Sequence, residues 1–348
     1  MISSSSDQFS VRPLRVAVAG CGRMGRLHCE RLENDGRSQV VALFDIDPAS
    51  AAALRKGVAQ DAVIYGRFED LVEQARIDAA IVCTPTQLHF EQAAAFLNRG
   101  TPVLCEKPLA RTRPEIVKLI AAARQTGAML SVAYQRRRWA TYRTMRQLVG
   151  SGEFGAVRAV MSHNIENWQQ SIGGTWRDDP EANPGGFIGD AGSHKIDAVF
   201  FVTGLKPAEV FARCDKCGSR VETTGSVSAL LEGGVPLTMD FIGNAQHFSE
   251  ILAVHCERGD PTLREGEIWI GHDGRAERLP LTLADCNPVV AFLDALLNGA
   301  ENFAPPECAL PVFDFTHGIL ESSRSGRSVE GLRENCRPRR PVCLPSII

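Results

Sequence analysis

The sequence lacks any run of apolar residues that approaches the length needed to cross a membrane, so it predicts no membrane-spanning segment. It also lacks an excess of positive charge, because 38 Lys and Arg residues are set against 41 Asp and Glu residues, a net charge of −3. A nearly neutral balance gives no electrostatic footprint for a nucleic acid. We therefore expect neither a membrane nor a nucleic acid as a partner.

The sequence also lacks the paired cysteine motifs of a zinc site. Its 11 Cys residues are an odd number and are scattered, which fits a reducing cytoplasm and predicts a cytoplasmic protein. Cys214 and Cys217 form a lone C-x-x-C, and neither Cys336 nor Cys343 supplies a second pair at matching spacing. We predict no metal, with a metal or redox role for this pair as the alternative.

What the sequence does contain is a short apolar strand that breaks into G-x-G-x-x-G and continues as a helix. The strand is Leu14–Ala19, and Gly20, Gly22 and Gly25 follow it. In such a motif the first glycine makes a tight turn, the second lets the backbone approach a pyrophosphate, and the third lets the helix pack closely on the strand. The free N–H groups of the helix start suit phosphate oxygens. This predicts a dinucleotide site, and the alternative is a structural turn with no ligand.

An acidic residue follows the second apolar strand, Val40–Phe44. Asp45 lies 20 residues after Gly25, the spacing expected of the acid that binds the adenosine ribose. A carboxylate accepts from the two ribose hydroxyls of NAD and would repel the 2′-phosphate of NADP, so NAD is favoured. The alternative is that Asp45 caps the helix starting at Pro48, although Asp47 is better placed for that role.

The chain of 348 residues is too long for one ordinary core and predicts two domains. The first 10 residues have neither a basic start nor an apolar core, so they do not resemble a secretion signal. We expect a disordered extension over residues 1–11, a dinucleotide-binding domain over 12–135, a second domain over 136–330 and an irregular tail over 331–348.

The pattern of predicted elements changes between the two domains. The first domain alternates strands and helices, which predicts the doubly wound parallel sheet of an α/β Rossmann fold. Beyond its first two strands, the predicted strands are 63–65, 79–83, 102–105 and 129–134, and the predicted helices are 48–56, 68–75, 87–98 and 113–125. The second domain has strands closer together, which predicts an α+β domain with a mostly antiparallel sheet. Its predicted strands are 157–163, 208–214, 226–231, 236–242 and 250–256, with helices over 139–149 and near 189–202.

Lys107 is the first candidate for chemistry, in the run Glu106-Lys107-Pro108. It directly follows a buried strand, and ligands of open parallel sheets bind at the carboxyl ends of strands. A lysine there can donate to a carbonyl oxygen or polarise an alcohol. Pro108 fixes the local backbone and is a candidate for a cis bond. The alternative is an ordinary surface lysine at a strand end.

The preceding strand ends in Thr84-Pro85, followed by His89. A backbone turn at this point would pass close to the dinucleotide. For His89 the alternative is a polar residue in the first turn of the next helix.

The second candidate for chemistry is a helix that carries Asp190, His194 and Asp197 on one face, because residues at i, i+4 and i+7 coincide. A carboxylate one turn from an imidazole can hold its tautomer and raise its basicity, which makes His194 a candidate proton acceptor. The alternatives are a His–Asp pair on a surface helix and a metal site, although no third metal ligand is placed by the sequence.

The order of these motifs resembles the glucose–fructose oxidoreductase, inositol dehydrogenase and rhizopine catabolism (Gfo/Idh/MocA) family. The resemblance covers nearly the whole chain, and the E-K-P and D-x-x-x-H elements are far more specific than the glycines. The matching residues are the glycine motif followed by His28, then Asp45, Thr84, Pro85, His89, Glu106, Lys107, Pro108, Asp190 and His194.

The resemblance implies an open sheet in the second domain, which often forms a dimer or tetramer interface. It implies oxidation of a secondary alcohol of a sugar, inositol or related polyol, with hydride going to a nicotinamide between Lys107 and the Asp190/His194 helix, and a proton to Lys107 or His194. Carried over by position, the catalytic residues are Lys107, Asp190 and His194. The residues implied to contact the cofactor are Gly20, Gly22, Arg23, Met24, Gly25, Asp45, Thr84, Pro85, His89, Glu106 and Gln135.

The sequence departs from the family at one of these motifs. The family often has Asn-x-Arg where this chain has Tyr134-Gln135-Arg136. Candidates for the substrate pocket are Arg136, His163, Trp176 and Arg177, and the alternative is that they are ordinary residues of the second domain.

Three functions stay open. The preferred one is an NAD-dependent dehydrogenase of a polyol, sugar or sugar derivative, and the others are an NAD-retaining glycosidase on the same scaffold and a non-enzymatic NAD-binding regulator.

Overall fold

The computed structural model describes residues 12–332. These residues form two compact units, one made of residues 12–139 with Ala284–Leu310 and the other of Ala140–Leu283 with residues 311–332. The expectations for residues 1–11 and for 333–348 of the tail lie outside the described residues.

The first unit contains a parallel sheet whose strands alternate with helices along the chain. Its elements, in order, are β1 (Leu14–Ala19), α1 (Arg23–Asp35), β2 (Ser38–Phe44), α2 (Pro48–Gly57), β3 (Val63–Tyr65), α3 (Phe68–Gln74), β4 (Ala79–Val82), α4 (Thr86–Leu97), β5 (Val103–Cys105), α5 (Arg113–Thr126) and β6 (Leu130–Val132). The strand order is β3-β2-β1-β4-β5-β6 and every pair is parallel. This is the Rossmann order, and the predicted doubly wound sheet is confirmed.

Local sequence explains where these elements begin and end. The strands are short apolar runs, and all four residues of β4 are buried, as expected for a sheet covered on both faces. Asp47 accepts hydrogen bonds from the backbone of Ala49 and Ser50 and so caps α2, as the sequence predicts. Thr112 and Glu115 form a capping box at the start of α5.

The second unit is built on a large sheet with helices on one face. Its elements are α6 (Ala140–Gly150), β7 (Val157–Asn167), α7 (Gln169–Ile172), α8 (Gly186–Gly189), α9 (Ala191–Thr203), β8 (Pro207–Asp215), β9 (Thr224–Leu231), β10 (Val235–Ile242), β11 (Asn244–Cys256), β12 (Asp260–Arg264), β13 (Glu267–His272) and β14 (Arg275–Leu279). The chain then adds α10 (Pro288–Asn298), which belongs to the first unit, and α11 (Ala309–Ser325) and β15 (Val329–Glu330).

The nine strands of the second unit lie in the order β14-β13-β12-β11-β7-β10-β9-β8-β15. Only β7 and β10 pair in parallel, and the other neighbours are antiparallel. The predicted mostly antiparallel sheet is therefore confirmed. Along β7 the buried Ser162 and Asn164 alternate with the more exposed Met161 and His163, which gives the sheet a covered and an open face.

The structure divides the chain differently from the linear boundary near residue 136. The segment Ala284–Leu310 packs in the first unit rather than the second. The backbone N–H of Val132 donates to the carbonyl of Ala304 at 2.9 Å, and the Ser131 hydroxyl donates to Asn302 at 2.7 Å. These contacts join residues about 170 positions apart, which local patterns do not reveal.

Several elements were absent from the sequence prediction. Strands β12 to β14 carry many exposed polar residues, and β12 contains Pro261, so they lack the alternating pattern of a half-buried strand. Helix α10 was also missed. Within residues 12–332, no helix is both long and apolar enough to cross a membrane.

Candidate functional site

The glycine turn of the first unit has the geometry of a phosphate-binding loop. Gly20 has a φ of +98°, and a Cβ atom there would lie 2.6 Å from the carbonyl carbon of Cys83. A Cβ atom on Gly25 would collide with the carbonyl oxygen of Gly20. Gly22 is exposed, and nothing lies within 4 Å of its Cβ position. The first and third glycines are thus required by packing, whereas the second leaves open space.

The start of α1 supports the same interpretation. Gly22 is the N-cap residue, and no side chain caps the helix. Arg23 is exposed and Met24 is half-buried in the first turn. A helix start with uncapped N–H groups beside open space fits a pyrophosphate. The residues present therefore fit a dinucleotide.

Asp45 contacts the glycine turn directly. One carboxylate oxygen accepts from the backbone N–H of Cys21 at 2.6 Å, and the other accepts from the N–H of Asp47 at 2.9 Å. Since an ionised carboxylate can accept about four hydrogen bonds, acceptor capacity is left for ribose hydroxyls. Asp45 does not cap α2, because Asp47 has that role.

Glu106 and Lys107 follow β5 on the edge of the sheet where the glycine turn follows β1. Glu106 is buried, its Oε1 lies 2.8 Å from His28 Nε2, and its Oε2 accepts from the Lys107 N–H at 3.2 Å. Burial alone would raise the pKa of Glu106, but the hydrogen bond and charge of His28 and the charge of Lys107 outweigh it, so the pKa is lowered. Lys107 is half-buried, and its bond to Pro108 is cis.

His89 is buried and links two strand ends. Its Nδ1 lies 2.8 Å from the carbonyl oxygen of Pro108, and its Nε2 lies 2.8 Å from that of Thr84. Burial lowers the pKa of His89, and the two carbonyl contacts only partly oppose this effect. The residue lies in the first turn of α4, as the alternative interpretation has it, and it is buried there.

Asp190 begins α9 in the second unit, where it pairs with residues that precede the helix. Its Oδ2 accepts from Arg177 Nε at 2.9 Å and from the indole N–H of Trp168 at 3.2 Å. The carboxylate makes no capping bond to the helix backbone. The Arg177 guanidinium lies 4.4 Å from the centre of the Trp176 ring. The sequence marked Arg177 and Trp176 as pocket candidates but gave no signal for Trp168.

His194 lies one turn beyond Asp190 on a helix that is largely buried. Asp197 is fully buried, and most of the residues from Gly192 to Val202 are buried as well. This excludes the alternative of a His–Asp pair on a surface helix. His194 itself is half-buried.

Other candidates lie elsewhere in their units. His163 is on the open face of the sheet, 3.3 Å from Asp240, whereas α9 packs on the covered face, so the structure does not bring it together with Asp190 and His194. Gln135 and Arg136 lie in a 3-10 helix of the first unit. Arg136 is buried, with its guanidinium 5.0 Å from the centre of the Trp139 ring.

A charged cluster beside His194 was missed by the sequence analysis. Lys195 is fully buried, and its ammonium lies 2.8 Å from Glu250 and 3.1 Å from Glu166. The hydroxyl of Tyr142 also donates to Glu250. The cluster joins α6, β7, α9 and β11. Over residues 12–332, no group of three or more His, Cys, Asp or Glu side chains is arranged to hold a metal ion.

Comparison with known proteins decides the family. Residues 14–134 match the oxidoreductase family with an NAD-binding Rossmann fold, and residues 142–260 match the GFO/IDH/MocA C-terminal domain. The chain belongs to the GFO/IDH/MocA oxidoreductase family. The resemblance inferred from its motifs is thereby confirmed.

Relatives in the GFO/IDH/MocA family include curated inositol 2-dehydrogenases. The chain is 30% identical to the inositol 2-dehydrogenase of an Arthrobacter species, and the match covers 75% of this chain and 74% of the relative. It is 32% identical to the inositol 2-dehydrogenase of Ralstonia nicotianae, and this match covers 55% of each chain. The match therefore spans little more than half of that relative. An inositol dehydrogenase homolog from Azotobacter vinelandii, solved with NAD+, has a TM-score of 0.82 at 20% identity, covering 92% of this chain and 98% of that one, and shows the shared fold.

Proposed function

We propose that the protein is an NAD-dependent dehydrogenase that oxidises a secondary alcohol of a cyclic polyol, sugar or sugar derivative. The observation that carries the proposal is the arrangement of three adjacent strand ends in the first unit. The strands β1, β4 and β5 are neighbours in a parallel sheet, so the glycine turn, Thr84 and Lys107 leave the same edge. This edge is where ligands bind in open parallel sheets.

The choice of NAD over NADP rests on Asp45. Its carboxylate lies against the glycine turn, 2.6 Å from the Cys21 nitrogen, with acceptor capacity left for ribose hydroxyls. A negative charge at this position repels a 2′-phosphate. The next two residues, Ile46 and Asp47, supply no positive charge that would offset it.

Each of the other residues has a distinct role in the proposal. NAD supplies the hydride acceptor when bound. The Lys107 ammonium donates a hydrogen bond to the reacting oxygen, and His194 accepts the hydroxyl proton as general base. Asp190 is oriented by its hydrogen bonds from Arg177 and Trp168. The names of the inositol 2-dehydrogenase relatives support this reaction class.

The open face of the nine-stranded sheet suits a self-association surface, and we propose a homodimer or homotetramer formed through it in the cytoplasm. Phe211 and Met161 lie in one cross-strand row of this face, and Leu230 lies on the same face. Their exposed fractions are 36%, 38% and 39%. Exposed apolar side chains of this size on one face are typical of a protein interface.

The decisive experiment is a panel of inositols, sugars and sugar acids incubated with NAD and followed by NADH absorbance. We expect NADH to accumulate with at least one cyclic polyol or sugar. Lys107→Ala should keep NAD binding and lower turnover at least a hundredfold, in the range that proton-transfer groups contribute. Lys118→Ala, an exposed lysine of the same unit, is the matched control and should leave turnover unchanged.

Two outcomes would count against the dehydrogenase. No NADH with any compound of the panel would contradict it. Tightly retained NAD together with cleavage of a glycoside and no net oxidation would identify the glycosidase instead.

A further inference from the structure

Arg177 is fixed at two points in the second unit while a third of its side chain stays exposed. Its Nε donates to Asp190 at 2.9 Å, and its guanidinium carbon lies 4.4 Å from the centre of the Trp176 ring. The side chain is 33% exposed. A guanidinium held by one hydrogen bond and one stacking contact is oriented before any ligand arrives.

The remaining donors of Arg177 are available to a ligand. A guanidinium has five N–H donors, and only the one on Nε is used by Asp190. Within the described chain, 12–332, neither Nη atom of Arg177 makes a hydrogen bond. Because the group is planar and holds its two Nη atoms side by side, they can donate in parallel to two neighbouring oxygens of one ligand.

The local charges favour neutral oxygens over an anionic group. Asp190 already balances the charge of Arg177. Two further carboxylates, Asp178 and Asp179, follow Arg177 directly, and among residues 12–332 the cation paired with them is Arg220, at 3.8 Å from Asp179. Around Arg177, three carboxylates are therefore set against two guanidiniums, and a carboxylate or phosphate bound at this residue would meet that net negative charge.

We propose that Arg177 binds two neighbouring hydroxyl oxygens of the substrate, so that the substrate is a neutral compound with a vicinal diol rather than a sugar acid. The inference rests on the proposed dehydrogenase function and specifies its substrate. Arg177 contacts Asp190, which lies at the N-terminus of α9, and the candidate base His194 is on the same helix. The diol would then include the reacting hydroxyl or its neighbour.

The test compares a neutral cyclic polyol that the enzyme oxidises with its deoxy analogues, each lacking one hydroxyl next to the reacting carbon. For the wild type we expect kcat/KM for at least one analogue to fall roughly tenfold to a hundredfold, the value of a hydrogen bond to a charged donor. In Arg177→Gln the parent and that analogue should become equal within about twofold. The matched control, Arg220→Gln, removes an exposed arginine of the same region and should retain the discrimination.

This design separates substrate binding from an indirect effect through Asp190. If Arg177 only orients Asp190, Arg177→Gln lowers kcat/KM for parent and analogue by the same factor, and the inference is wrong. Arg177→Lys keeps the charge without the planar fork and should also lose the discrimination, which covers the case of an unstable Gln variant. NAD affinity, measured by fluorescence titration, should be unchanged in both variants.

Two further outcomes distinguish this inference from the proposed function. Turnover restricted to sugar acids would overturn the inference and leave the dehydrogenase standing. Absence of NADH formation with every polyol, sugar and sugar acid would overturn both.

Discussion

Glu106 Oε1 lies 2.8 Å from His28 Nε2, and both side chains are buried. His28 is on α1, the helix that the glycine turn begins, and Glu106 directly precedes Lys107. One buried hydrogen bond therefore joins the helix that fits a pyrophosphate to the strand end that carries the candidate catalytic lysine. Two parts of the candidate cofactor site are thus connected inside one unit.

The His28–Glu106 pair should contribute strongly to stability. In His28→Ala the Glu106 carboxylate stays buried without its partner, which typically costs about 3–5 kcal/mol of the free energy of unfolding. Urea unfolding at pH 7 measures the loss. The control is His255→Ala. It removes a half-exposed pair, in which His255 Nδ1 lies 3.2 Å from an Asp260 carboxylate oxygen, and it should cost at most about 1 kcal/mol. Equal losses in the two variants would contradict the role assigned to burial.

His89 should make stability depend on pH near neutrality. Burial lowers the pKa of His89 in the folded protein below the ordinary value of about 6.5, so below about pH 6.5 the unfolded chain binds a proton that the folded protein does not. The stability linked to this residue is fully present above that pH and is lost as the pH falls. Unfolding free energies between pH 7 and pH 5 should therefore decline less steeply in His89→Gln. His247→Gln, an exposed histidine, should reproduce the wild-type slope, and an unchanged slope in His89→Gln would refute the prediction.

Asp45 should set the cofactor preference. We expect the wild type to bind NAD more tightly than NADP, and Asp45→Asn to reduce that preference about tenfold, the value of a 1.4 kcal/mol interaction. Asparagine keeps an acceptor for the Cys21 N–H, so the variant isolates the charge. Fluorescence titration with both cofactors gives the ratio of dissociation constants. Asp47→Asn is the neighbouring control, since asparagine also caps α2 and the ratio should not change. Tighter NADP binding by the wild type would exclude the assignment.

Lys195 should be required for the stability of the second unit. Lys195→Met leaves Glu166 and Glu250 without their shared cation, and we expect a loss of about 3–5 kcal/mol in the free energy of unfolding. Adding Glu250→Gln to this variant should recover part of the loss, because it removes one of the two buried charges that have lost the lysine. Lys216→Met, at an exposed position of the same unit, is the control. A loss no larger than that of the control would show that the cluster contributes little.

Features encoded by short-range spacing could be predicted from the sequence. The glycine turn, the cap at Asp47 and the alternation of strands and helices in the first unit all follow from patterns within about 30 residues. The face that carries Asp190 and His194 follows from helical periodicity alone. The family motifs added the roles of Lys107, Asp190 and His194, which remain predictions.

Contacts between distant positions could not be predicted in the same way. His28 and Glu106 are separated by 78 positions, and Asp190 and Trp168 by 22, and no local pattern links either pair. For His163 the strand was predicted, but the sequence did not show which face of the sheet α9 would cover. It therefore did not show that His163 would lie on the face away from His194. Lys195 was visible in the motif, yet its burial depends on Glu250, a residue of another strand 55 positions away.

The return of Ala284–Leu310 to the first unit makes that unit discontinuous along the chain. During synthesis, which proceeds from the amino terminus, residues 140–283 leave the ribosome before α10 does. The first unit therefore cannot reach its final packing until most of the second unit has already been made, because Ala304 and Asn302 must first reach Val132 and Ser131. The part of the protein that begins first in the sequence is thus completed late in translation.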